Sequence, residues 1–279
     1  IGDLRTVWTT DPSITVSIEN ATAVNEDVAD FWNRNREEFR VHNYSTGTIV
    51  YEPGYTRYDG APTTIYENSV VYNRFAGADL PLTDQLLVDG RTISVVALNG
   101  TMQTASRESI DVPVDPLSAS TRSIAVNSST GDPLTLQVPT RLPNETWTSL
   151  LRGEYVENGG TIVEQNYRNR SDRPNELVLR FEPGTYRLRL ARIGIGTKTE
   201  RPEERYLVGL DREVVVAENE TTTVTVEVRD RYNNPVGDIQ VIASAVDDGL
   251  RNGTQRTSEN GRVTFVYDAP ENIDGPARI

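Results

Sequence analysis

The residue that most limits the chemistry of this chain is its single histidine, His42. The 279 residues contain no cysteine, which excludes disulfides, thiolate metal sites and cysteine nucleophiles. A Ser-His-Asp triad would therefore have to use His42, which is followed by Asn43, Tyr44 and Ser45. We interpret His42 as a surface or turn residue rather than a general base. The sequence thus predicts no catalytic residue, no cofactor-binding residue and no metal ligand set.

Three other patterns carry ligand-binding residue types. The segment 194–198 has glycines at two positions but lacks the full glycine pattern of a phosphate loop, so we expect a linker entrance. The segment 247–249 offers two adjacent aspartates, fewer oxygens than Ca²⁺ takes, so we expect a turn. A third pattern suits either a carbohydrate groove or a covered sheet face: Tyr51, Tyr55, Arg57, Tyr58, Tyr66, Tyr72 and Arg74.

N-glycosylation sequons are more frequent than composition explains. Asparagine makes up 20 and Ser plus Thr 47 of the 279 residues, so roughly three sequons are expected by chance. The excess predicts glycosylation and an extracytoplasmic location. A simpler explanation is that Asn and Thr both gather in turns and at strand ends. The eight sequons start at Asn20, Asn43, Asn99, Asn127, Asn144, Asn169, Asn219 and Asn252.

The charge pattern predicts a protein built for very high salt. The chain has 28 basic and 41 acidic residues, a net charge of −13, and Lys198 is its only lysine. In molar salt the Debye length is about 3 Å, so self-repulsion of an acidic surface is screened. Arginine binds carboxylates bidentately and is weakly hydrated, which suits scarce water. The acidity also argues against a nucleic-acid partner, which would require phosphate neutralisation.

No apolar run approaches the roughly 18 residues that a membrane helix requires. We therefore expect no membrane span within these residues. The chain begins at Ile1 without a charged and apolar leader, and its last residues do not form a finished element. We expect a fragment of a longer surface protein, and the sequence leaves open whether a membrane anchor was removed.

Strand patterns dominate the chain. Residues 14–18 alternate apolar and polar side chains, and most of these residues are β-branched. A hairpin is predicted over 86–96 around Asp89 and Gly90, and a second turn at Asn99 and Gly100 with 101–104 returning. Residues 63–75 fit one long strand or a strand with a bend. Further short strands are predicted at 48–51, 123–126, 134–138, 161–164, 177–181 and 185–190.

Two helices interrupt these strands. The first is predicted over 26–38 from an apolar stripe of Val28, Phe31, Trp32 and Phe39. The second is predicted over 144–155, with Asn144 as its N-cap and an apolar stripe containing Trp147, Leu150 and Leu151. The segment 197–204 is the best linker because Pro202 is its only apolar residue. We therefore expect a β-rich head domain over 1–200 and a second domain over 201–279.

The last 75 or so residues resemble the bacterial Ig-like modules of invasin- and intimin-type surface proteins. Strands are expected over 213–216, 222–228, 239–245 and 262–267, with a tight turn at 233–235 and a final hairpin opened at 260–261. The resemblance implies a small Ig-like β-sandwich. It rests on Val226, Glu227, Val228, Asp230, Asn233, Asn234, Pro235, Val236, Val241, Ala243, Thr257, Asn260, Gly261, Val263, Phe265, Tyr267, Ala269 and Pro270.

The first 200 residues resemble an uncharacterised family of haloarchaeal secreted or membrane-anchored proteins that look like pilins. The blocks that carry this resemblance are 51–55, 64–68, 86–90, 95–100 and 139–142. The resemblance implies a β-rich ectodomain behind a hydrophobic helix, which this sequence lacks, and it brings no catalytic motif. The predicted fold class is therefore mainly β: a β-sandwich with two short inserted helices, followed by a small Ig-like β-sandwich.

The leading functional expectation is an extracellular structural or adhesive protein of a halophilic archaeon. It would be a pilus-like filament or surface-layer subunit that associates with itself or with other cell-envelope proteins. A second hypothesis is a secreted carbohydrate-binding or carbohydrate-active protein with an Ig-like accessory module. A third is a receptor or anchoring component of an envelope complex. None of the three requires a cofactor.

Overall fold

The computed structural model describes residues 4–10, 14–34, 41–55, 60–171, 173–211, 214–245 and 249–271. Strands hold 52% and helices 9% of the described residues. The predicted fold class is confirmed: the protein is mainly β, with several antiparallel sheets and two α-helices in a β-sandwich-type fold. Residue contacts divide the chain into two compact units, Ile1–Arg201 and Pro202–Ile279.

The first unit holds seventeen described strands and both α-helices, α1 (Glu26–Arg34) and α2 (Asn144–Leu150). Its strands are β1 (Leu4–Thr9), β2 (Ile14–Glu19), β3 (Thr22–Ala23), β4 (Val41–Thr46), β5 (Ile49–Gly54), β6 (Thr63–Glu67), β7 (Val70–Arg74), β8 (Asp79–Pro81), β9 (Val88–Asp89), β10 (Thr92–Asn99), β11 (Gln103–Ser106), β12 (Val114–Ser118), β13 (Ile124–Ser128), β14 (Thr135–Thr140), β15 (Ile162–Arg168), β16 (Asn175–Phe181) and β17 (Gly184–Ile195).

These strands form three sheets. Sheet I has the order β11-β1-β5-β6-β7-β8, and sheet III has the order β15-β16-β14-β2-β4. Sheet II has the order β3-β13-β17-β10-β9, with β12 also paired to β17. All of these strand pairs are antiparallel except β10 and β17, which run parallel over eight residue pairs. The parallel pair joins segments about ninety residues apart in sequence.

Strand β17 shows why alternating sequence makes a half-buried strand. Tyr186, Leu188 and Leu190 are buried, whereas Arg187 and Arg189 between them are exposed. Successive side chains of a strand point to opposite faces, so the apolar set enters the core as a unit. The same period predicted a strand at 14–18, and β2 confirms it. The short strands predicted at 134–138 and 177–181 are confirmed by β14 and β16.

Helix α1 packs through two buried side chains, Val28 and Trp32. The Trp32 indole N–H donates to the Ala21 carbonyl at 2.9 Å. The Asn33 side chain donates to the Ala23 carbonyl and accepts from its N–H, which ties the helix to β3. The part of the prediction that covers 35–40, including Phe39, lies outside the described residues.

Helix α2 begins at the predicted residue but ends earlier than predicted. It spans 144–150, and the chain continues through 3₁₀ turns at Arg152–Glu154 and Val156–Asn158. The expectation that Asn144 caps the helix is wrong, because Pro143 occupies the N-cap position and Asn144 is the first helical residue. The buried Trp147 anchors the helix by donating its indole N–H to the Thr140 hydroxyl at 2.9 Å.

One strand prediction and one turn prediction need correction. Residues 63–75 form a hairpin, because Asn68 and Ser69 both take positive φ (46° and 69°) and reverse the chain between β6 and β7. A two-residue turn with positive φ at both central residues matches the twist of the two strands that it joins, and asparagine tolerates positive φ. The strand after Gly100 does not return along β10: β11 pairs with β1 in sheet I. The hairpin around Gly90 is confirmed, although its ladder is short.

A buried carboxylate at the end of β6 fixes the segment that leads into α2. Glu67 is 1% exposed, and its Oε1 accepts from the Thr140 hydroxyl at 2.6 Å and from the Arg141 N–H at 2.7 Å. The same oxygen accepts from the Leu142 N–H at 3.3 Å, and Oε2 pairs with the Arg141 guanidinium at 3.3 Å. A buried charge is tolerated only when its lone pairs are satisfied in this way.

The second unit contains sheet IV, with the order β18-β19-β23-β21, and sheet V, formed by β20 and β22. Val228, Val241, Val263 and Phe265 form its buried core. Its strands are β18 (Glu204–Gly209), β19 (Thr221–Asp230), β20 (Gln240–Ile242), β21 (Leu250–Arg251), β22 (Thr254–Arg256) and β23 (Arg262–Asp268).

Two expectations for this unit fail. Residues 214–216 form no strand, and residue 213 lies outside the described residues. The turn at Asn260 and Gly261 does not open a hairpin, because β22 before it pairs with β20 and β23 after it pairs with β19 and β21. Gly261 has φ of 75°, and its N–H donates to the Ser258 carbonyl at 2.8 Å. This turn therefore transfers the chain from sheet V to sheet IV.

An ion pair lies inside the second unit. The Arg229 guanidinium contacts Glu227 at 2.8 Å, and both side chains are at most 2% exposed. Arg262 donates to the other oxygen of Glu227 at 3.1 Å, and Arg229 also donates to the Asn233 side chain at 3.0 Å. The Tyr206 hydroxyl reaches the same Asn233 oxygen at 2.5 Å. The network holds the 230–234 turn against β18 and β19.

Candidate functional site

The tyrosines proposed as a carbohydrate groove do not all lie on one face of sheet I. Tyr51 and Tyr66 are half-buried on one face of sheet I, because cross-strand partners share a face and β5 and β6 pair in that register. Tyr72 is fully buried on the opposite face, where burial and the nearby Glu67 carboxylate raise its pKa. Tyr55 is exposed after β5, Arg74 is paired with Asp79, and Arg57 and Tyr58 lie outside the described residues.

Tyr66 instead lines a groove of about 530 Å³ whose other walls the sequence did not reveal. The outward side chains of β10 contribute Thr92, Ser94 and Val96, and β17 contributes Arg189. The loop before β9 adds Leu86, which is 70% exposed at the groove. We call this cavity the Tyr66 groove. Its size falls within the range of about 300–1,000 Å³ that is usual for small-ligand pockets.

The loop that borders the groove is fixed by its own hydrogen bonds. The Gln85 side-chain oxygen accepts from the N–H groups of Leu87 and Val88 at 2.8 and 2.9 Å, and its amide nitrogen donates to the Val88 carbonyl. The Ser69 hydroxyl oxygen accepts from the Leu86 N–H at 2.9 Å. Because these contacts bind the loop to β9 and to the β6–β7 turn, the groove is preformed.

The charged groups of the groove have different roles. One Glu154 oxygen accepts from the Gly90 N–H at 2.8 Å, so this carboxylate holds the turn between β9 and β10. The Arg189 guanidinium makes no hydrogen bond or ion pair with any other residue in the described ranges. Burial raises the pKa of Tyr66, so its phenol stays a neutral hydrogen-bond donor at ordinary pH. The alternating sequence of β17 predicts that the Arg189 side chain points away from the core. Its position beside Ser94 depends on the parallel pairing of β10 with β17.

The sequons divide into three structural groups. Asn20, Asn219 and Asn252 have positive φ of 57°, 59° and 49°, a conformation that asparagine tolerates better than most residues. At these three positions the backbone alone accounts for asparagine. The Asn20 amide nitrogen also donates to the Pro133 carbonyl at 3.2 Å.

The remaining sequons differ in exposure. Asn127, Asn144 and Asn169 are exposed, and their amide nitrogens hydrogen-bond to no residue that the structure describes. The side-chain oxygens of Asn127 and Asn144 accept from Thr185 and Gln165, each at 2.8 Å. Because these contacts use the side-chain oxygen, the side-chain nitrogen of Asn127 and Asn144, which is the atom that carries a glycan, remains available to solvent. Two sequons are half-buried, at Asn43 and Asn99.

His42 is not the surface or turn residue that the sequence suggested. It lies on β4 with 8% exposure, and its ring stacks on Trp32 at 3.7 Å between centroids. It pairs with Ile18 of β2 across the ladder. The ring therefore packs between helix α1 and sheet III. No group of three or more acidic or histidine side chains with metal-binding geometry occurs among the described residues.

Exposed apolar side chains border the β8 edge of sheet I. Leu80 and Leu82 are 54% and 52% exposed, and Phe75 is 37% exposed. Leu80 pairs with Asn73, and the Leu82 N–H donates to the Val71 carbonyl at 2.8 Å, so both leucines extend the same edge. Pro81 lies between them and removes one backbone donor from this edge. We call Phe75, Leu80 and Leu82 the β8 apolar edge.

Comparisons with protein-family models, with curated protein sequences and with solved structures find no match to this chain. Neither helix in the described ranges is long and apolar enough to cross a membrane.

Proposed function

We propose that this protein is an extracellular structural or adhesive component of the surface of a halophilic archaeon, acting as a filament or surface-layer subunit. The observation that carries the proposal is the β8 apolar edge. Large exposed apolar groups on one edge are a common mark of protein–protein contact surfaces. The occupant that we propose is a second copy of this chain, since a structural subunit must contact its own kind.

The charge of the chain makes such contact dependent on salt. A net charge of −13 opposes association of identical subunits in dilute buffer. Near 1 M salt the Debye length falls to about 3 Å, so this repulsion is screened while apolar contact persists. The almost complete replacement of lysine by arginine, the sequons and the two resemblances support the same surface role. The Ig-like resemblance of the second unit would make that unit a stalk module.

Sedimentation velocity tests this proposal directly. We expect association in about 1 M NaCl and dissociation near 0.1 M NaCl, where the Debye length is about 10 Å. Leu82→Asp should abolish association in high salt. Val156→Asp is the matched control, because Val156 is 43% exposed on a 3₁₀ turn rather than on a sheet edge. A monomer at both salt concentrations would overturn the proposed contact. Equal loss of association in Leu82→Asp and Val156→Asp would overturn it as well.

A second candidate function is carbohydrate binding, and the Tyr66 groove is the observation that favours it. The groove combines an aromatic ring with hydroxyl groups and charged groups in one preformed cavity. A sugar ring has apolar C–H faces and a polar rim, and an aromatic side chain with a polar tip matches both. Binding of any oligosaccharide that is weakened by Tyr66→Ala would support this function, and a groove that binds none would remove it.

A further inference from the structure

The polar groups of the Tyr66 groove are largely uncommitted. The hydroxyls of Tyr66, Thr92 and Ser94 make no side-chain hydrogen bond with another residue in the described ranges. The Arg189 guanidinium offers five N–H donors in a fixed fork and is likewise unpaired within those ranges. Uncommitted donors that line one cavity are the usual means by which a pocket orients a polar ligand.

Arg189 is unpaired within the described ranges although acidic residues outnumber basic ones 41 to 28. Some described arginines are engaged, as Arg91 is with Glu182 at 2.5 Å, and others, such as Arg187, are also unpaired. Arg189 differs from these unpaired arginines because it lines the groove. Arginine binds carboxylates and sulfates through two parallel hydrogen bonds. In high salt only such direct contacts keep their strength, because longer-range attraction is screened.

We propose that the Tyr66 groove binds a saccharide that carries a carboxylate or sulfate group, and that Arg189 selects the anionic group. Tyr66 and Leu86 contact the C–H face of the sugar ring. Ser94, which pairs with Arg189 across the β10–β17 ladder, binds a hydroxyl beside the anionic group. The carboxylates of Glu154 and Asp89 also line the groove and accept hydrogen bonds from neutral sugar hydroxyls.

This inference rests on the carbohydrate-binding candidate, and the test separates the two. Isothermal titration of the full chain in about 1 M NaCl would use trigalacturonate and a chondroitin sulfate tetrasaccharide, with galactotriose as the neutral probe. We expect at least one anionic probe to bind about tenfold more tightly than galactotriose, as a charge-assisted bidentate contact allows. Arg189→Gln should remove this preference while binding of galactotriose is retained.

The matched control is Arg187→Gln. Arg187 is exposed two residues earlier on β17, on the same face, but does not line the groove. This variant should keep the preference for the anionic probe within about twofold, well below the tenfold effect of a bidentate contact.

Equal loss of the preference in both variants would assign the effect to general charge and overturn the role of Arg189. Equal binding of neutral and anionic probes by the unsubstituted chain would overturn the anionic selectivity alone. Binding of no probe would overturn both the inference and the carbohydrate-binding function.

Discussion

Replacement of Glu67 should destabilise the first unit in a graded way. The Glu67 carboxylate is 1% exposed, and one of its oxygens accepts from Thr140, Arg141 and Leu142. The other oxygen faces the Arg141 guanidinium at 3.3 Å. Glu67→Gln keeps one acceptor oxygen but turns an N–H₂ donor towards the guanidinium. Glu67→Ala removes every carboxylate acceptor and leaves the Arg141 N–H and the Thr140 O–H without an acceptor, whereas the Leu142 N–H keeps its bond to the Thr140 hydroxyl oxygen at 3.0 Å.

The expected magnitudes follow from these contacts. A hydrogen bond to a charged group contributes about 1.5–3 kcal/mol. Arg141 is 29% exposed and can turn partly to water, so we expect a loss of about 2 kcal/mol for Glu67→Gln. Orphaned buried donors cost about 1–3 kcal/mol each, and partial relaxation limits their sum. We therefore expect a loss of about 4 kcal/mol for Glu67→Ala, within the range of about 3–5 kcal/mol seen when a buried ion pair is broken.

Tryptophan fluorescence during urea unfolding at fixed salt concentration isolates the first unit. All three tryptophans, at positions 8, 32 and 147, belong to that unit, and Trp147 donates to the same Thr140 hydroxyl that contacts Glu67. Glu164→Gln is the control, because this exposed carboxylate pairs with the half-exposed Arg180 and its loss should leave the midpoint unchanged. A loss below about 1 kcal/mol for Glu67→Ala would refute the assignment of a buried, fully bonded carboxylate.

Three further predictions concern other contacts. Burial alone would raise the pKa of Glu176, but hydrogen bonds from Arg170 and Arg168 outweigh it and hold the pKa below 4.5. The stabilisation that Glu176 provides is therefore complete above about pH 4.5 and is lost as the pH falls through the lower folded-state pKa. Glu176→Gln should make the melting temperature fall less steeply as the pH is lowered through this range, and an unchanged slope would contradict this. Arg229→Ala should lower the stability of the second unit by about 3 kcal/mol in scanning calorimetry, because Glu227 then stays buried with a weaker partner; a change near zero would show that Arg262 alone suffices. Glycopeptide mass spectrometry of the native protein should find glycan at Asn127, Asn144 or Asn169 and none at Asn20; full occupancy of Asn20 would show that its bond to Pro133 does not protect it.

Local patterns in the sequence were sufficient to predict many of the strands. The alternation of buried and exposed residues along β17 follows directly from its sequence, as does the turn at Gly90. The hairpin at Asn68 and Ser69 was missed because serine is an uncommon residue at positive φ, so the usual Asn-Gly signal is absent. Strand pairing could not be predicted. Nothing local in the sequence indicates that β11 pairs with β1 or that β10 runs parallel to β17.

The candidate site was only partly visible in the sequence. Tyr66 was among the residues predicted for a groove. Tyr72 was predicted with it but points into the core, because Tyr72 pairs with Ile65 and therefore lies on the face of the sheet opposite Tyr66. Arg189 was recognisable as an outward residue, yet its place beside Ser94 depends on a long-range parallel ladder. His42 was misjudged because its polar neighbours suggested a turn, whereas stacking on Trp32 stabilises the ring in a buried position.

The most direct test of the proposed surface role is electron microscopy of the native protein, released from cells and kept in molar salt. We expect regular filaments or a lattice in which Leu80 and Leu82 lie at a contact between subunits. We also expect these assemblies to disappear on transfer to dilute buffer, where charge repulsion is less screened. Dispersed monomers in molar salt, with the β8 apolar edge open to solvent, would contradict the proposed role.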